Sequence, residues 1–71
     1  MGGKDAKEMN FAKNLQQARK NLGISQAELA KRLGKVQGAV AMWESGIREP
    51  KLSELEKIAK VLLTTPTKLI E

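Results

Sequence analysis

The stretch SQAELAKRLGKVQGAVAMWESG, residues 25–46, limits the possible folds more than any other part of the chain. Leu29 and Leu33 stand four apart before Gly34, and Val36, Val40 and Trp43 follow it at spacings of four and three. Apolar residues at helical spacing on both sides of a residue that accepts left-handed backbone predict a helix, a tight turn and a second helix. Ser25 with Glu28 three positions on reads as a capping box that starts the first of these helices. With Val40 turned inward, a rotation of about 100° per residue puts Val36 and Trp43 on the same buried side. Gly38, Ala41, Met42 and Ser45 then face outward, and Gln37 stands at the leading tip. A small, sparsely charged face with an amide at its N-terminus suits entry into a groove.

Seventy-one residues make one small domain, and with neither Cys nor His no disulfide or zinc ligand set supports it. Helix packing or self-association has to supply the stability. The chain also lacks Tyr, a metal-ligand cluster and a phosphate-cradling glycine loop, so no enzyme, cofactor or metal is expected. No apolar run approaches the roughly 18 to 20 residues of a membrane span, and the N-terminus lacks a signal-peptide core. A cytoplasmic, nucleoid-associated location is the expectation.

The formal net charge is +5, and its distribution is uneven. Residues 1–35 hold eight Lys or Arg against three acids, whereas residues 36–71 hold five against five. A basic half of this kind favours a polyanion. Single-strand binders stack bases on exposed aromatics, but Phe11 and Trp43, the two aromatics here, both fall at core positions. Duplex DNA is the better-matched partner.

Taken in order, residues 1–9 read as a flexible N-terminal arm and residues 10–71 as the domain. A first helix begins after Asp5 or after Asn10 and carries Phe11, Leu15, Ala18 and Leu22 on one stripe, ended by Gly23. A fourth helix opens near Leu52 or Ser53, with Ser53 and Glu56 as a capping box and Leu52, Leu55, Ile58, Ala59 and Leu62 facing the core. Thr65 then caps a short last helix that has Pro66 at its first position. The expected class is all-α, a compact five-helix domain with a helix-turn-helix in helices 2 and 3.

Ser25-Gln26-x-x-Leu29-Ala30-x-x-x-Gly34, then Val40-x-x-Trp43-Glu44-x-Gly46 and Pro50, resembles the lambda-repressor-like helix-turn-helix family of the Cro/C1 type. The resemblance runs from about Phe11 to Ile70. It implies that Gln37, Gly38, Ala41 and Met42 meet DNA bases, and that Gln26, Ser45, Arg48 and Lys51 meet phosphates. Gln26 also has Gln37 within its expected reach. For Arg19 the resemblance implies a buried ion pair with Glu44, the other reading being a solvent-facing side chain beside Lys13 and Lys20. Where relatives carry an apolar residue and then Ser or Thr, this chain has Lys35 and Val36, so a cap worth about 0.5 to 2 kcal/mol is missing. Lys35 restores the lost phosphate contact as a point charge.

Relatives place glycine after the fourth helix; this chain has Leu63 and Thr64, so its turn should differ. Family dimers meet at this corner, which makes Leu63, Thr64, Leu69 and Ile70 candidates for a homodimer contact. The other reading has the last two aliphatics closing the core. The expected function is a sequence-specific DNA-binding regulator, most simply a repressor occupying a near-palindromic operator. An antitoxin with a toxin partner, or a helical protein-interaction module, are the alternatives. The resemblance fits a complete small regulator, a restriction-modification controller or the DNA-binding half of a larger repressor.

Overall fold

The computed structural model describes residues 3–71, with side chains from Asn10 onward. The arm expected over residues 1–9 lies outside the residues whose side chains are described. Five helices follow one another: α1 (Gly3–Leu22), α2 (Gln26–Leu33), α3 (Gln37–Ser45), α4 (Leu52–Val61) and α5 (Pro66–Ile70). Each gives at least one fully buried side chain to a single core: Leu15, Leu29, Val40 with Trp43, Ile58 and Leu69. The stripe on α1 sends Phe11 and Leu15 inward, with Ala18 and Leu22 packed at the edge.

Helix starts follow local chemistry. The Ser25 hydroxyl accepts the Glu28 N–H at 3.0 Å and Thr65 Oγ1 accepts the Lys68 N–H at 3.2 Å, satisfying donors that helix geometry leaves unpaired. The Glu28 carboxylate, expected to reach back to Ser25, instead takes Arg32 one turn on, at 2.9 Å.

At α4 the register differs from the sequence expectation. Lys51 is the N-cap, and Glu54 accepts the Lys51 N–H at 2.8 Å, so only the carboxylate half of a capping box forms, two residues earlier than Ser53 and Glu56. Leu52 is consequently the first residue of the helix and is 70% exposed rather than core. Val36 departs for the same reason. It is the extended N-cap of α3, so helical periodicity does not yet govern it, and its side chain is 74% exposed.

The last helix is held by α1. Asn14 Nδ2 donates to the carbonyls of Lys68 and Leu69, at 3.2 and 3.1 Å, and Asn10 Nδ2 donates to that of Glu71 at 2.6 Å. These bonds satisfy the carbonyl end of α5. They also set Leu69 in the core at 1% exposure, so it is not available as a subunit contact, whereas Leu63 and Ile70 are exposed and Thr64 is half-buried.

One turn is built against conformational preference. After α2, Gly34 has φ +70, and the N–H groups of Gly34 and Lys35 return to the carbonyls of Lys31 and Ala30. After α4 the same pattern recurs, Leu63 to Lys60 and Thr64 to Ala59, but the left-handed residue is Leu63 at φ +59. A side chain there crowds the backbone, while glycine would have more freedom to lose on folding. The substitution Leu63→Gly should raise stability by about 0.5 to 1 kcal/mol, read as a higher melting temperature.

Candidate nucleic-acid interface

The exposed side of α3 is positioned by a charged clasp beneath it. Arg19, 8% exposed on α1, donates through Nε to Glu44 Oε2 at 2.6 Å and through Nη2 to Oε1 at 3.0 Å. Its Nη1 donates to the Ile24 carbonyl at 2.9 Å, and Gln26 Nε2 adds a third bond to Glu44 at 3.0 Å. Glu44 has a side chain only 3% exposed, yet it is satisfied from α1 and α2 together. Two ions taken out of water need this density of hydrogen bonds to offset the loss of hydration. Glu44 raises the Arg19 pKa above its ordinary value through that bond, against burial, which acts the other way.

The clasp also redirects Gln26. Its amide bonds Glu44 rather than Gln37, leaving one N–H and the carbonyl oxygen outside that contact. Since Trp43 precedes Glu44 and is itself 2% exposed, both the apolar and the polar side of α3 are fixed from below.

Above the clasp, Gln37, Gly38, Met42 and Ser45 are exposed and Ala41 is half-buried. Val36 caps α3 with no side-chain hydrogen bond, and no acidic residue stands in its first turn. Its N-terminal donors therefore face outward without a side-chain acceptor. Gly38 is the least expected of these residues. Its backbone is not left-handed, and a Cβ built on it meets nothing within 4 Å. Nothing inside the fold requires a glycine there, although one costs about 0.5 to 1 kcal/mol relative to alanine inside a helix.

The cationic candidates divide into two groups. Arg48 and Lys51 are exposed in the segment between α3 and α4, with the Arg48 N–H anchored to the Met42 carbonyl at 3.3 Å. Lys35 is engaged: its Nζ donates to Glu54 Oε2 at 2.6 Å. Ser45 turns its hydroxyl back to the Met42 carbonyl at 3.1 Å. Sequence reasoning passed over Glu54. It holds Lys35 and caps α4 at once, and the Lys35 bond, followed by the Lys51 N–H, keeps its carboxyl below the ordinary value. The available signal was its place three residues after Lys51. Among the described residues no group of three or more His, Cys, Asp or Glu could hold a metal ion, and no helix is long and apolar enough to cross a membrane.

Comparison with known proteins gives two kinds of match. The helix-turn-helix family model matches residues 15–69. Among solved structures, hydroxypropylphosphonic acid epoxidase from S. wedmorenis superposes with a TM-score of 0.84 at 35% identity, over 90% of this chain and 34% of that one. The same enzyme in complex with fosfomycin gives 0.83 at 35% identity, over 90% and 34%. The chain thus spans about a third of the length of the solved structures it matches. No curated protein matches it in sequence.

Replacing Arg19 by methionine would strand the Glu44 charge. Arg19→Met should lower stability by about 3 to 5 kcal/mol in denaturant melts, and pairing it with Glu44→Leu should recover most of that loss.

Proposed function

The chain belongs to the Cro/C1-type helix-turn-helix family of DNA-binding regulatory domains, and from this premise we propose that it is a sequence-specific regulator of transcription that binds duplex DNA. In this reading α3 enters the major groove. Gln37 makes two hydrogen bonds to the N6 and N7 edge of adenine, and Ala41 and Met42 meet thymine methyl groups. Gln26, Lys35, Ser45, Arg48 and Lys51 contact phosphates, which orient the domain without reading sequence.

The observation that carries the proposal is Gly38. A glycine that the fold does not require, on the open side of the helix that follows the turn, is explained by close approach of something from outside. A DNA backbone or base edge pressed against the helix is such a body. The clasp beneath supports the same reading, because a face held rigid before binding loses less freedom on docking.

Regulation here is occupancy: a protein seated on an operator excludes polymerase, and no chemical step is involved. We assign the chain a repressor role and a homodimeric state on DNA, through the exposed Leu63 and Ile70 with Thr64 beside them. Two such domains would read half-sites about 34 to 36 Å apart in a near-palindromic site.

One finding favours a second reading. The likeness to a third of an epoxidase chain is compatible with a helical module that serves protein contacts within or beside an enzyme. The exposed Val36, Ile47 and Leu52 would then form part of the contact.

Selection of bound duplexes from a random pool separates the two, since a regulator enriches a symmetric sequence and an interaction module enriches none. With the selected duplex in hand, Gln37→Ala should relax preference at one base pair per half-site, at about 1 to 3 kcal/mol. Gly38→Ala should split two measurements: stability rises by about 0.5 to 1 kcal/mol while DNA affinity falls.

A further inference from the structure

Between the turn and the start of α4 lies an open cleft of about 270 Å³ whose lining includes Lys35, Trp43, Lys51, Ser53, Glu54 and Lys57. Three of these side chains are cationic and one is anionic, so the cleft keeps a positive balance with its carboxylate included. The indole of Trp43 is buried, and its Nε1 has no hydrogen-bond partner. With that nitrogen buried, the polar groups the lining offers besides Glu54 are three ammonium groups and the Ser53 hydroxyl, all able to donate. Such a set, beside the N-terminal amides of α4, suits an oxyanion.

Glu54 supplies one from within the protein. Its Oε1 accepts the Lys51 N–H at 2.8 Å and its Oε2 accepts Lys35 Nζ at 2.6 Å. Lys35 immediately precedes the N-cap of α3, which provides no side chain of its own to the helix. The lysine nearest the leading end of α3 is therefore held by a carboxylate belonging to α4.

We propose that Glu54 is an internal substitute for a DNA phosphate: its carboxylate holds Lys35 in the free protein, and a backbone phosphate of the bound duplex displaces it from Lys35. The inference rests on the duplex-binding reading given above. The exchange is accessible, because the two side chains are 40% and 22% exposed and can part without opening the core. It is also reversible in energy, since exposed ion pairs are weak whereas each phosphate contact is reinforced by released counterions. Glu54 keeps its bond to the Lys51 N–H throughout, so α4 stays capped while Lys35 changes partners. The pair thereby lowers affinity for every duplex alike and leaves base preference to α3.

A double-mutant cycle on the intact chain tests this, using Glu54→Gln, Lys35→Met and the two combined. Glutamine at this position still accepts the Lys51 N–H, so the cap survives, and thermal melts confirm that each variant is folded. Binding to the selected duplex and to an unrelated one is followed over a salt series. Glu54→Gln should bind both about two- to fivefold tighter. Its log–log salt dependence should stay that of the wild type, because Lys35 meets the same phosphate in both complexes, whereas Lys35→Met should flatten it by about 0.9. In the Lys35→Met background the gain should vanish. An equal gain in both backgrounds would mean that Glu54 acts only as a distant negative charge, and no gain would mean that it does not compete; either overturns the inference while the DNA reading stands. If neither the wild type nor Glu54→Gln binds any duplex, the reading and the inference fall together.

Discussion

The relative placement of the first three helices depends on one carboxylate. Glu44 is set in α3 immediately after Trp43 and is met by Arg19 from α1 and by Gln26 from α2. Each of these groups would be costly to bury alone. Together they specify a single arrangement, because a hydrogen-bonded ion pair tolerates misalignment much less than an apolar contact does. Apolar packing of Leu15, Leu29, Val40 and Trp43 supplies most of the cohesion, while the clasp determines how α3 is rotated and therefore which residues it presents.

The features legible in the sequence were those decided within a few residues. Ser25, Gly34, Gly46 and Thr65 act on their own neighbouring backbone, and each marks a helix end as its chemistry requires. The core stripe of α1 and the inward Val40 and Trp43 were legible for the same reason. Val36 and Leu52 depart from the core stripes because helical periodicity does not govern positions at which the helix is only starting. Gln26, Glu54 and Asn14 were opaque in a different way. Their partners lie 18, 19 and up to 55 positions away, and nothing local distinguishes an amide or carboxylate that turns inward from one that remains in water.

The plain outer face of α3 follows from what lies beneath it. With rotation already fixed by Glu44 and Trp43, the exposed side is free of packing duties and can consist of Gly38, Ala41 and Met42 around a single amide, Gln37. Such a surface has few polar groups to offer and allows a short distance of approach. The exposed cations stand outside α3 in the sequence, in the α3–α4 segment and, at Lys35, just before the α3 N-cap, where Glu54 holds the lysine.

The asparagine bonds between α1 and α5 bear on the order in which the molecule assembles. A helix of five residues is too short to persist in water by itself, so α5 forms only where Asn10 and Asn14 already await its carbonyls. Those contacts close a loop of up to 61 positions, the kind of ring that is entropically slow to close. The last helix thus owes its existence to groups near the opposite end of the chain, which ties the two termini of the domain into one unit.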